Sequence, residues 1–331
     1  SCLFMKIKFS HSTSKIKSIV DGVSLSIMQG YLSEGDNLPS INETSAQYKI
    51  SRDTVFKAYQ ELKRIGLIDS TPTKGYYVVG KVNKVLLLLD NYSAFKQDLY
   101  RRFVENLPQN YKVDLLFHQY NERLFNTIVR ESIGLYSMYV VMNFSDNQFS
   151  ESLKAIPANK LLLLDFGNFE KSDYSYVCQN FNESLYDSLF AHKELLHKYH
   201  KLTFVFPEEI CHPISAVEYF EKFCLDQNFD FEIVRKTADW KVIEKGTLYL
   251  SILHEDLAKI IKEADIAGLK IGSDVGLIVY NEDPILEVIK NGISSISIDF
   301  GLMGEMAAQF VKSREIVQMY LPTRLNVRGS L

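Results

Sequence analysis

A chain of 331 residues with 46% hydrophobic and 24% charged side chains has the composition of a globular protein and the length for two or three domains. No apolar run approaches the roughly 20 residues that span a bilayer, which excludes a helical membrane protein. The net charge of −4 is uneven: residues 1–80 hold ten Lys/Arg against seven Asp/Glu, and the remainder 27 against 34. A mildly basic head on an acidic body suits contact between the head and a polyanion.

The first residues, Ser1 to Lys6, lack the basic-then-apolar pattern of a signal peptide. Cys2, Cys178, Cys211 and Cys224 form no CxxC pair and are too sparse for a disulfide framework, so a cytoplasmic location is expected. Ile16, Ile19, Val20, Val23 and Ile27 then recur at helical spacing and Gly30 stops that helix. A loop over Gly35–Pro39 leads to Ser40-Ile41-Asn42-Glu43, which has the form of a capping box and starts a second helix. A third helix takes Ser51 as its N-cap, puts Val55, Tyr59, Leu62 and Ile65 on one face, and ends at Gly66. Leu67–Asp69 and Tyr76–Val79 read as short strands around a Ser70–Gly75 turn.

Beyond Lys84 the pattern changes to apolar runs alternating with amphipathic helices. The runs are Val85–Asp90, Val113–Phe117, Tyr139–Phe144, Leu161–Asp165, Tyr174–Cys178, Leu202–Phe206, Phe231–Val234, Leu248–Ile252, Val275–Tyr280 and Ile296–Phe300. Runs without polar alternation belong to parallel sheets covered on both faces. Ten of them exceed one sheet, which predicts two doubly wound α/β lobes. The expected division is a head over residues 5–80, a linker over 81–84 and a two-lobed body over 85–331.

The head carries a family resemblance. Leu38-Pro39-Ser40-Ile41-Asn42-Glu43, Ile50-Ser51-Arg52-Asp53-Thr54-Val55, Leu62-Lys63-Arg64-Ile65-Gly66-Leu67-Ile68 and Thr73-Lys74-Gly75-Tyr76-Tyr77-Val78 follow the order and spacing of the winged helix-turn-helix of GntR-family regulators. The resemblance implies that the third helix enters the major groove by its N-terminal end, where Ser51, Arg52, Asp53 and Thr54 stand. Arg52 suits bidentate pairing with guanine or the clamping of a phosphate, Asn42 suits bidentate pairing with adenine, and Ser40, Ser51 and Thr54 suit phosphate oxygens. Lys57 reaches toward the backbone, and Lys74, Gly75 and Tyr76 resemble the wing tip. Asn42 stands where the family has arginine, which puts the operator sequence in doubt. Helix capping alone is a competing reading for Ser40 and Ser51, and hairpin packing for Tyr76 and, more so, Tyr77.

The body resembles the periplasmic-binding-protein-like effector domain of LacI/GalR-type regulators, through Ile271–Asn281, Ser295–Ala307 and the closing Val327-Arg328-Gly329-Ser330. That resemblance implies two lobes joined by three chain crossings and enclosing a sugar or a similar polar ligand. Independently, ligands of open α/β sheets bind beyond the carboxyl ends of the strands. Asp90, Tyr92, His118, Asn143, Asp165, Asn180, Glu255, Asn281 and Glu282 stand at such ends, and Trp240 is an aromatic that could stack on a sugar or pack in the core.

No catalytic set, cofactor motif or metal site is expected. His197 and His200, among Lys193, Glu194 and Lys198, read as a solvated helix face. The sequence therefore predicts a DNA-binding regulator, a homodimeric repressor on operator DNA with a monosaccharide or a phosphorylated derivative as effector. The alternative is an enzyme, a pyridoxal-phosphate-dependent transaminase-like body behind the same head; about 250 residues is short for it.

Overall fold

The computed structural model describes residues 5, 7–10, 12–81, 83–145, 149–165, 170–238, 240 and 243–331. The chain divides into two compact units: Ser1–Leu87 with Leu107–Leu115 and Ser132–Tyr139, and Leu88–Asn106 with Leu116–Glu131 and Val140–Leu331.

In the first unit, helices α1 (Lys15–Met28), α2 (Ile41–Tyr48) and α3 (Arg52–Arg64) precede a hairpin of β1 (Ile68–Thr71) and β2 (Gly75–Val78). Each start is set by a local side chain. Ser14 Oγ accepts from the Lys17 amide at α1, and Ser51 Oγ from the Thr54 amide at α3, at 3.2 and 3.1 Å. At α2 the box closes both ways: Ser40 Oγ accepts from the Glu43 amide at 3.2 Å, and the Glu43 carboxylate accepts from the Ser40 amide at 2.7 Å. Ile19, Val23, Val55, Tyr59, Leu62, Ile68 and Val78 are buried together as the core of this module. The Tyr59 hydroxyl donates to the Pro39 carbonyl and meets the Thr44 hydroxyl, both at 2.9 Å, which ties α3 to the entry of α2. The hairpin pairs Ile68 with Val78 and Thr71 with Gly75. Gly75 turns at a φ of 72°, a left-handed conformation that side-chain-bearing residues rarely adopt. Within the same unit Arg64 donates to Gln109 Oε1 at 2.7 Å and Lys112 pairs with Asp21 at 3.7 Å.

The remaining strands form two sheets of six among the described residues. One has the order β13-β7-β6-β5-β3-β4, with β3 (Asn83–Leu89), β4 (Tyr111–Phe117), β5 (Met138–Met142), β6 (Leu161–Leu164), β7 (Ser175–Gln179) and β13 (Gln318–Leu321). The other has the order β14-β12-β11-β10-β8-β9, with β8 (Lys201–Val205), β9 (Asp230–Val234), β10 (Thr247–Ser251), β11 (Gly276–Tyr280), β12 (Ser294–Ser297) and β14 (Arg324–Asn326). Strands β8 to β12 pair in parallel and β14 closes the sheet antiparallel. Strands β5, β6, β10, β11 and β12 are buried along their whole length, as a sheet covered on both faces requires.

The covering helices are α4 (Ala94–Glu105), α5 (Glu122–Ser132), α6 (Glu183–Phe190), the short α7 (Lys193–Leu196), α8 (Ser215–Asp226), α9 (His254–Ile266) and α10 (Phe300–Ser313). Gly304 lets α10 lie directly on α4: a Cβ there would fall 2.2 Å from the Leu99 carbonyl oxygen. The chain leaves the first sheet after β7, returns to it through β13, and leaves again through β14. These are the three crossings that the resemblance implied. Among the described residues no helix is long and apolar enough to cross a membrane.

Three expectations change. Residues 83 and 84 of the expected linker are the start of β3, and Val82 lies outside the described residues. The run Ile296–Phe300 is not one strand: Asp299 accepts from the Leu302 amide at 2.8 Å and starts α10 instead. The helix expected to carry His197 and His200 ends at Leu196, and the His197 ring stacks on Phe229 with centroids 4.5 Å apart.

Candidate functional site

The head presents one polar face. Ser51, Arg52, Asp53 and Lys57 are exposed at the N-terminal end of α3, and Ser40 and Asn42 are exposed at the start of α2. Asp53 and Lys57 pair at 2.7 Å across one helical turn, so Lys57 reaches out as half of an ion pair. Thr54 is half-buried and shares a hydroxyl contact of 2.7 Å with Ser51. Phe56, 46% exposed, stands between Arg52 and Gln60 on the same face, an apolar ring that the reading of polar side chains missed.

At the hairpin tip Lys74 and Gly75 are exposed. Both tyrosines are half-buried. Tyr76 packs edge-on against buried Tyr59 with centroids 4.7 Å apart. Tyr77 carries the Lys74 ammonium over its ring at 4.3 Å.

In the second unit a cleft of about 740 Å³ opens at the carboxyl ends of both sheets. From the first sheet it takes Asn91, Ser93, Phe95, Lys96 and Tyr120; from the second, Glu209 to His212, Ile252 to Glu255, Tyr280 and Asn281. Strand exits around it carry left-handed backbone: Gln119 and Tyr120 at φ 55° and 56°, Asp165 at 50°, Asn281 at 67°. Such conformations cost non-glycine residues energy and concentrate at functional sites.

Behind the cleft lies a polar network. Asp90 Oδ1 holds the buried Lys96 ammonium and accepts from the Asn91 amide at 2.6 Å, while its Oδ2 accepts from the Tyr120 hydroxyl at 2.6 Å. Burial first, and the Asp90 charge second, raise the Tyr120 hydroxyl above the ordinary tyrosine range. His118 donates from Nε2 to the Met142 carbonyl at 3.0 Å and accepts on Nδ1 from the Tyr120 amide at 3.1 Å, an arrangement that only the neutral ring can make. Burial, the leading cause, lowers its pKa in agreement. Asp165 accepts from Gln179 at 2.8 Å, and burial pushes its carboxyl up to about 6. His212 is held neutral by burial, down to about 3. Three buried atoms on the cleft wall, Ser93 Oγ, His212 Nε2 and Tyr280 Oη, have no protein partner.

The ten residues expected at the ligand therefore separate. Glu255 and Asn281 line the cleft. Asp90 and His118 lie behind it in the network, with Asp165 close enough to be raised by the Asp90 charge. The other five are elsewhere. Tyr92 is 69% exposed, edge-on to Phe117. Asn143 donates to the Ser145 carbonyl at 2.6 Å. Asn180 folds a local turn, donating to Glu183 at 3.0 Å and accepting from the Asn182 amide at 2.8 Å. Trp240 packs in the core beside Tyr249, with centroids 5.7 Å apart. Glu282 is occupied by Arg328 at 3.0 Å, Asn326 at 2.9 Å and Ser295. Among the cleft residues missed were Phe95, Lys96, Tyr120, His212 and Tyr280. Of these five only Tyr280 had a signal, as the last residue of an apolar run.

Residues 15–78 match the profile of the bacterial regulatory proteins of the gntR family. These residues are a GntR-family helix-turn-helix domain. Over 51 residues the chain is 53% identical to the uncharacterized HTH-type transcriptional regulator YcxD of Bacillus subtilis, a match that covers 15% of this chain and 12% of that protein. The chain thus spans about an eighth of that relative's length, and the GntR likeness is confined to the head. The body has the fold of LacI-type regulators. It is similar to the trehalose repressor from Escherichia coli (TM-score 0.62, 13% identity, 74% of this chain and 100% of that one). It is likewise similar to a LacI family transcriptional regulator from Lactobacillus casei with bound glucose (TM-score 0.61, 12% identity, 75% and 100%). The chain is therefore a GntR-type head joined to a periplasmic-binding-protein-like α/β body.

Proposed function

We propose that the protein is a transcription regulator, a homodimer in the cytoplasm that reads operator DNA with residues 5–80 and senses a sugar with residues 85–331. One observation carries the reading: a DNA-reading head and a two-sheet body whose cleft holds unpartnered buried polar atoms stand in one chain. Arg52 and Asn42 are the base-reading residues, and Ser40, Ser51, Thr54, Lys57 and Lys74 hold the phosphates. Helix-turn-helix proteins read two half-sites with two-fold symmetry, which argues for the dimer. Repression relieved by the ligand is the proposed output. The solved regulators of the same fold, one of them with bound glucose, favour a sensor over a transaminase-like body.

The test begins with operator duplexes selected from a randomised library by the full chain. Operator affinity at fixed salt is then measured with and without each member of a sugar library. Arg52→Ala is expected to cost about 1–3 kcal/mol of operator binding. Unchanged affinity in that variant would sink the reading of α3. A sugar that binds the protein and leaves operator affinity unmoved would sink the sensor mechanism.

A further inference from the structure

Resting on the sensor reading above, we propose that the cleft selects an uncharged polyhydroxylated ligand and rejects the phosphorylated or carboxylated forms of the same compound. Lys96 is the one lysine or arginine among the described residues lining the cleft. Its ammonium has three hydrogens, and the protein takes them up: Asp90 Oδ1, Asn91 Oδ1 at 2.7 Å and the Asn91 carbonyl at 3.4 Å. Its side chain is 6% exposed. An anion reaching for Lys96 would have to displace Asp90, which the Tyr120 hydroxyl and the Asn91 amide also hold in place. Separating a buried pair leaves an uncompensated charge and is strongly unfavourable.

The remaining charges on the wall are of the wrong sign for an anion. Glu209 and Glu255 are both exposed in the cleft. The first turn of α9 already holds Glu255 and Asp256, which answer the positive end of that helix. His212 stays neutral.

What the cleft does offer is a mixture of donors and acceptors beside apolar side chains. Tyr280 is 1% exposed and its hydroxyl has no partner. Ser93 Oγ and His212 Nε2 are in the same position, and Asn281 and Glu255 add acceptors. Hydroxyl groups both donate and accept, so a polyol suits donors and acceptors alike; a phosphate only accepts. Phe95, Ile210 and Ile252 supply the apolar wall that covers the C–H face of such a ligand.

The experiment is calorimetric titration of the full chain with matched pairs: glucose and glucose 6-phosphate, trehalose and trehalose 6-phosphate, galactose and galacturonate, extended through a sugar library. In every pair that binds, the neutral member is expected to bind at least about tenfold more tightly. A charged member that binds as well or better overturns the proposal. The Asp90→Asn variant adds a second readout, since it removes the charge that neutralises the Lys96 ammonium while keeping the size and shape of the side chain; its folding is checked by its melting temperature. It should raise affinity for the charged member relative to the neutral one, and an unchanged ratio overturns the role given to Lys96. Failure of every pair, neutral and charged, overturns the sugar reading itself and the proposal with it.

Discussion

At the scale of the residue, Asp165 reports the buried network and Cys211 the cleft. Asp165 sits on left-handed backbone with its carboxyl pushed up to about 6 by burial. A carboxyl raised in the folded state stabilises the fold below its unfolded pKa, near 3.8–3.9, and that contribution is lost as pH rises through about 6. Asp165→Asn should remove this slope. The difference in unfolding free energy between the two proteins is expected to change by on the order of 2 kcal/mol between pH 4 and pH 7, read from urea midpoints. No change in that difference would mean that the carboxyl titrates normally. Cys211 is exposed on the cleft wall, whereas Cys178 and Cys224 are buried. Alkylation of Cys211 by iodoacetamide, followed by peptide mass spectrometry, should slow several-fold when a cleft ligand is bound; an unaltered rate would place the ligand elsewhere. The caps Ser40 and Ser51 were legible in the sequence because each acts within three residues of itself. Glu255 and Asn281 were legible because strand ends follow from apolar runs. Lys96, Tyr120 and His212 were not, because they meet only through the tertiary fold.

At the scale of the element, α2 and α3 rest on their caps and on Tyr59. Ser40→Ala breaks the capping box and should cost about 1 kcal/mol of stability, visible as a lower urea midpoint with an unchanged slope. A loss confined to operator affinity, with the midpoint unmoved, would mean that the cap is dispensable. On the outer face of α3, Phe56 is suited to a thymine methyl group, an apolar contact made in the major groove. Replacing thymines of a selected operator with uracil, one at a time, should weaken binding of the native chain at one position per half-site and leave Phe56→Ala indifferent there. Equal sensitivity in both proteins would remove Phe56 from the interface. Most strands were legible because buried parallel strands are uninterrupted apolar runs. Strands β13 and β14 escaped: they hold four and three residues, with only Leu321 and Leu325 buried, and they pair with residues distant in the chain.

At the scale of the whole molecule, coupling between DNA and ligand must be reciprocal: the factor by which ligand changes operator affinity is the factor by which operator changes ligand affinity. A coupling of about 1–3 kcal/mol, or roughly 5–150-fold, is the expected range. Titrating the ligand with and without saturating operator at one salt concentration checks it, and unequal factors would expose a third equilibrium such as dimer dissociation. The three chain crossings also order the protein in time. Strand β7 ends at Gln179, yet its outer neighbour β13 begins at Gln318, after the whole parallel part of the second sheet. During synthesis the ribosome thus releases a sheet whose β7 edge stays unpaired until Gln318–Leu321 emerge, after the parallel strands of the second sheet. An open edge invites pairing with other chains. A nascent chain stalled before Gln318 should therefore depend on chaperones and remain open to protease, and completion of the final strands should close both vulnerabilities together.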